Sequence, residues 1–97
     1  MYLAVDIGGT KTLIALFSRR GRVIRRVKFK TAQKAEEFLK ELTATLVPFQ
    51  KYKIRAIVVA IPGLVQKNYS VKFGNRDWGG IDIFTPCKKV VRLPSVF

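Results

Sequence analysis

Two apolar runs open the chain, YLAVDI at residues 2–7 and TLIALF at residues 12–17, separated by Gly8-Gly9-Thr10-Lys11. Both read as short strands, the second rich in β-formers. A Gly pair between strands is a strong hairpin signal, because glycine tolerates positive φ. Arg20-Gly21 marks a second turn. Residues 22–30 read as a third strand, with Val23, Val27 and Phe29 on one face and Arg26, Lys28 and Lys30 on the other. Ile24 and Arg25 break that alternation. Lys and Arg on an outer face are typical of a guarded sheet edge. The chain therefore opens with an antiparallel meander.

The period then changes. Ala35, Phe38, Leu39, Leu42 and Leu46 recur at helical spacing, which predicts an amphipathic helix with one buried stripe. Thr31 is its expected N-cap, Glu36 and Glu37 suit its first turn, and Pro48 falls at its end. IRAIVVAI, residues 54–61, is the most continuous β-branched run and predicts a central strand buried on both faces. Strand, helix and buried strand in succession imply a crossover. Pro62-Gly63 stops that strand. Leu64-Val65 and residues 70–73 predict a small hairpin about Lys67-Asn68, and GNRDWGG at 74–80 a loop carrying Trp78. Residues 81–89 include a short helix limited by Pro86. Residues 90–97 read as a final strand, interrupted by Pro94.

Composition narrows the class. At 97 residues the chain is expected to be one domain, with 48% apolar residues arguing against disorder. The single cysteine, Cys87, allows no internal disulfide, and without a second Cys or any His no zinc site is expected within the chain. Asp6 interrupts the first apolar run, so no signal peptide is read, and no run nears the roughly 20 residues of a membrane span. These absences make a cytoplasmic protein the expectation, with no membrane partner.

Nineteen Lys and Arg against six Asp and Glu give a net charge of +13. Such a field favours anionic partners, whether nucleotide, phosphorylated metabolite, nucleic acid or acidic membrane. A solvated basic surface is the plainer reading. The basic residues are spread singly and in pairs, as in Arg19-Arg20, Arg25-Arg26 and Lys88-Lys89, and form no tail.

The candidate chemistry lies in Asp6-Ile7-Gly8-Gly9-Thr10-Lys11. A tight Gly-Gly turn exposes backbone N–H groups that can hold phosphate oxygens. Thr10 adds a hydroxyl and Lys11 a positive charge. Asp6 would repel phosphate alone but suits a site shared with Mg²⁺, where a carboxylate, waters and phosphates divide the ligand shell. The spacing fits neither GxxxxGK[ST] nor GxGxxG, and a plain hairpin turn is the alternative for the Gly pair by itself.

LAVDIGGTKTLIALF, a basic third strand, a helix, IVVAIPGLV, NRDWGGIDI and LPSVF follow in one order. Together they resemble the N-terminal part of the ROK family, the repressor and sugar-kinase group of the actin-like ATPase superfamily, which includes glucokinases and related hexose or N-acetylhexosamine kinases. The resemblance covers essentially the whole chain. It implies an α/β fold, a ribonuclease H-like (actin-like ATPase) lobe with a mixed five-stranded sheet of β-β-β-α-β-α-β type and an inserted small hairpin. Residues 1–97 would be one N-terminal lobe, the first half of a sugar kinase. It also implies ATP with Mg²⁺ as cofactor, Asp6 acting indirectly on the metal, and Gly8, Gly9, Thr10 and Lys11 as the first phosphate loop. Pro62 and Gly63 would shape the wall beside the sugar, Asn75 would contact it, and Trp78 would pack beneath that loop.

In the family, the strand resembling LPSVF runs into a Glu-Asn-Asp segment whose Asp is the catalytic base. The chain stops at Phe97, short of that point, and no catalytic residue is assigned. The family's sugar-binding Glu and His, second phosphate loop and adenosine-binding motif have no counterpart here. Asp77 and Asp82 read as solvated loop residues. The expectation is a lobe that keeps a phosphate turn, leaves a hexose site incomplete and does not phosphorylate sugar alone. Three alternatives stay open: half of a split kinase completed by self-association or a complementary chain, a non-catalytic basic module binding nucleic acid non-specifically, or a fragment with no function of its own.

Overall fold

Alternation settles the first two strands. In β1 (Tyr2–Ile7) the buried residues are Leu3, Val5 and Ile7, and in β2 (Lys11–Phe17) they include Thr12, Ile14 and Leu16. The antiparallel register sets these against each other, Leu3 with Leu16, Val5 with Ile14 and Ile7 with Thr12. One face of the hairpin is therefore apolar except for Thr12, at the turn end. β3 (Val23–Lys30) adds antiparallel to β2, and β4 (Ala56–Ala60) adds parallel to β1, giving the order β3-β2-β1-β4. The computed structural model describes residues 1–61, 64–65, 71–73, 76–78 and 83–91.

The helices cover that apolar face. α1 (Ala35–Leu46) buries Phe38, Leu42 and Leu46 completely, as its spacing predicts. A 3₁₀ turn, Val47–Lys51, accepts Pro48 at its start and inserts Phe49 into the core. α2 (Phe84–Val91) buries Cys87 and Val91 beside α1 and the 3₁₀ turn. Pro86 is tolerated because it occupies the first turn, where an N–H has no intrahelical acceptor. A second sheet is antiparallel, built from β5 (Leu64–Val65), β6 (Val71–Phe73) and β7 (Arg76–Trp78). Among the described residues no helix is long and apolar enough to cross a membrane.

Several expectations need correction. Thr31 does not cap α1. The N-cap is Lys34, with no side-chain cap bond, and the Thr31 hydroxyl is committed elsewhere. The run IRAIVVAI is not buried on both faces: Val58 is 63% exposed, and among the described residues β4 is an edge of its sheet. Its second face meets solvent, so the β-branched run reports strand propensity rather than two-sided burial. Val23 does not share a face with Val27. A bulge breaks the ladder between Leu16 and Phe17, so Ile24 is skipped, Val23 pairs with Phe17 and Arg25 pairs with Leu16. Arg25 then reaches the helix side, its guanidinium 5.3 Å from the Phe49 ring centroid. Residues 76–78 of the expected loop form β7. Val90 and Val91 end α2 instead of starting a strand, because they complete its buried stripe. The remainder of the expected fifth strand, residues 92–97, lies outside the described residues, and so does the turn at Lys67-Asn68.

Candidate phosphate-binding site

The β1–β2 connection is closed by a hydrogen bond of 3.0 Å from the Gly8 N–H to the Lys11 carbonyl. A Cβ on Gly8 would stand 2.9 Å from that carbonyl oxygen, closer than side chains are found. Gly8 is thus required by a close backbone approach. The expected reason was a positive φ, but among the described glycines only Gly21, at φ 83°, adopts one. Gly8→Ala is predicted to push the turn open and cost about 1–3 kcal/mol in a urea titration. Wild-type stability in that variant would contradict the close approach.

A buried hydroxyl pair braces the turn from behind. Thr12 and Thr31 are 0% and 2% exposed, and their Oγ1 atoms are 2.8 Å apart. The Thr31 hydroxyl donates to the Gly8 carbonyl at 2.9 Å, which leaves Thr12 to donate to Thr31. The Thr31 N–H also donates to the Thr10 carbonyl at 2.9 Å. The end of β3 is therefore tied to both sides of Gly9. Sequence reasoning missed this role for Thr12 and Thr31. A Thr inside an apolar strand is the one signal that could have raised it, since a buried hydroxyl needs a partner.

The tie satisfies backbone groups on the inner side and leaves donors facing out. Among the described residues, neither the Gly9 nor the Thr10 N–H has a hydrogen-bond partner. Gly9, Thr10 and Lys11 are all exposed. Asp6 is exposed too, on the sheet face away from the helices, as is Lys11 by alternation. The turn thus presents two N–H groups, a hydroxyl, an ammonium and a nearby carboxylate. An anion suits the first four. A divalent cation between that anion and Asp6 would suit the fifth. No cluster of three His, Cys, Asp or Glu side chains forms among the described residues, so a metal here would depend on its anion for much of its ligand shell. A cavity of about 330 Å³ adjoins the turn, lined by Thr10, Lys11, Lys28, Phe29 and Lys30.

The structure therefore gathers Asp6, Gly8, Gly9, Thr10 and Lys11 at one sheet end. Pro62, Gly63 and Asn75 lie outside the described residues. Trp78 lies in β7, where its backbone pairs with Val71.

A family model, the ROK family, matches residues 2–97. The chain belongs to the ROK family. Among its relatives in that family, N-acetylmannosamine kinase of Salmonella newport (strain SL254) is 31% identical over 80 residues, which is 81% of this chain and 28% of the relative. The ROK family glucokinase from Streptomyces griseus, solved with glucose and AMPPNP, superposes with a TM-score of 0.75 at 26% identity, over 96% of this chain and 31% of that one. The ROK hexokinase from Thermus thermophilus also gives 0.75, covering 96% of this chain and 33% of its own, and at 18% identity it speaks to fold alone. The architecture is accordingly that of a ROK sugar kinase, of actin-like ATPase type, in its N-terminal portion. The chain spans about a third of the length of the ROK proteins it matches.

Proposed function

We propose that these 97 residues are one lobe of an ATP-dependent ROK sugar kinase, with the Gly8–Lys11 turn holding phosphates of ATP. The observation that carries this is the braced turn, whose free Gly9 and Thr10 N–H groups stand beside Thr10 Oγ1, Lys11 and Asp6. Backbone donors and Lys11 orient the phosphates. Asp6 takes the magnesium side, where a bound Mg²⁺ would neutralise phosphate charge. The sugar is a hexose or N-acetylhexosamine by kinship, with Gly63 and Asn75 proposed on its side of the cleft.

Phosphoryl transfer depends on several parts converging on one geometry. This lobe supplies one of them. Titration calorimetry with Mg²⁺ and a non-hydrolysable ATP analogue is expected to show metal-dependent binding, weakened about tenfold or more by Lys11→Gln, as a charged hydrogen bond is worth about 1.5–3 kcal/mol. A coupled assay over a hexose panel is expected to show no sugar-dependent turnover by the lobe alone. Absence of nucleotide binding by the folded chain, or indifference to Lys11→Gln, would sink the proposal.

A further inference from the structure

The Gly8–Lys11 turn occupies one end of the sheet, and the opposite end has a different character. β2 runs into the hairpin tip, residues 18–22, and β3 returns from it. α1 travels the same way as β2. Phe38 in its first half meets the Phe29 ring, and Phe49 beyond its end lies under Arg25. The loop before β4 reaches that end too, where the Arg55 N–H donates to the Met1 carbonyl at 2.9 Å. The tip, the 3₁₀ turn and this loop therefore share one end of the molecule.

The charge there is one-sided. Arg19, Arg20 and Arg22 on the tip and Lys51, Lys53 and Arg55 in and after the 3₁₀ turn are all exposed. Residues 18–24 and 47–55 contain no Asp or Glu. Asp6 lies about 13 Å along β1 from Tyr2, and Glu36 and Glu37 begin α1 at the other end. Such separations exceed the Debye length of roughly 10 Å at 0.1 M salt, so these acids neutralise little of the charge. Of the acids on α1 only Glu41, midway along it, comes nearer.

The tip is also held in shape. The Ser18 N–H donates to the Arg22 carbonyl at 2.8 Å, and the Gly21 N–H donates to the Ser18 carbonyl at 3.0 Å. Ser18 Oγ accepts from the Arg20 and Arg22 N–H groups at 3.3 and 3.1 Å. Apolar side chains stand beside these arginines. Val23 is 54% and Ile24 43% exposed, the bulge leaving Ile24 outside the ladder, and Val47 and Tyr2 are exposed at the same end. Among the described residues Val58 is the one other large hydrophobic so open.

We infer that this end of the molecule binds the surface of an anionic lipid bilayer. Arg19, Arg20 and Arg22 meet lipid phosphates, which suit the guanidinium fork, while Val23 and Ile24 enter the headgroup layer. A nucleic acid would attract the same cations but leave the aliphatic side chains in water. The Tyr52 ring packs on Phe49 at 6.3 Å and carries Lys51 Nζ at 5.4 Å, so it is engaged already. Tyr2 suits a base or a headgroup layer equally, and the aliphatic side chains decide for lipid. Absence of a spanning run underlies the expectation of no membrane partner, but a surface contact needs no span. Bound this way, the Gly8–Lys11 turn faces away from the bilayer. The inference does not depend on what that turn holds.

The test is co-sedimentation of the full chain with phosphatidylcholine vesicles, with and without about one-third phosphatidylglycerol, at low and moderate salt. Binding is expected with the anionic vesicles alone, falling as salt rises. Arg19→Gln/Arg20→Gln/Arg22→Gln is expected to weaken it about fivefold per arginine, roughly a hundredfold in all. Val23→Ser/Ile24→Ser keeps the charge and is expected to weaken it about tenfold. Lys28→Gln/Lys34→Gln/Lys40→Gln removes as much charge away from the tip and is expected to change affinity less than about threefold. Circular dichroism checks that each variant folds, and the lipid and salt series on the unaltered chain needs no variant. Equal binding to neutral and anionic vesicles, or to neither, overturns the inference. So does an equal loss in the lysine control, which would make net charge alone responsible. Single-stranded RNA bound more tightly than the anionic vesicles, with the arginine dependence but indifferent to Val23→Ser/Ile24→Ser, would assign this end to nucleic acid instead.

Discussion

Phe38→Ala is expected to lower the unfolding free energy by about 3–5 kcal/mol, read as an earlier urea midpoint. Phe38 is 0% exposed and heads the buried stripe of α1. Its ring meets Phe29 of β3 at 6.0 Å between centroids, tilted by 36°. Alanine there removes both the transfer term and the packing around a cavity that a sheet on one side cannot close. Total stability for a domain of this size is about 5–15 kcal/mol. The variant should therefore be partly unfolded at physiological temperature, with a Tm lower by about 4–8 °C for each kcal/mol. Leu39 lies on the same helix but is only half-buried, and its alanine variant should cost less. A loss below about 1 kcal/mol at Phe38 would mean that α1 does not close the core as described.

Thr31→Val should separate shape from hydrogen bonding. Valine nearly matches threonine in volume but replaces the hydroxyl with a methyl group. It would leave the Gly8 carbonyl and the Thr12 hydroxyl without the partner each now has, at about 1–3 kcal/mol per orphaned group. Thr12→Val should cost less, because Thr31 could still donate to Gly8. The double variant should cost less than the sum of the two, since both act in one network. Binding of the MgATP analogue should weaken along with stability, and Thr31→Ser, which keeps the hydroxyl, should recover most of both. If Thr31→Val and Thr31→Ser behaved alike in titration and melting, the brace would have no part in shaping the turn.

Most of the fold is legible from periodicity. Alternation in β1 and β2 and the 3.6-residue spacing of Phe38, Leu42 and Leu46 each report one buried face, and each is a local signal. Errors arise where tertiary context decides. Thr31 has the chemistry of a helix cap, yet its hydroxyl meets Gly8, 23 residues earlier, only once β3 is in register. The skipped Ile24 leaves no local trace beyond a broken alternation, and it is this bulge that turns Arg25 toward Phe49. Val90 and Val91 suit a strand by propensity but complete a helix stripe.

The candidate site divides in the same way. Asp6 through Lys11 is contiguous, so the turn itself could be read directly. Lys28 and Lys30 look like ordinary edge guards in the sequence. Their position beside Lys11 depends on register across two hairpins, which no single segment specifies.

The tie between Gly8 and Thr31 also bears on the order of assembly. Everything that shapes the proposed phosphate turn closes within the first 31 residues, through consecutive antiparallel pairs. Pairing of β4 with β1 instead joins Tyr2 to Ala56 and must draw together a far longer loop. Loop closure costs more entropy as length grows, and non-local pairings form slowly. A nascent chain emerging from the ribosome can thus finish this turn while β4 is still being made.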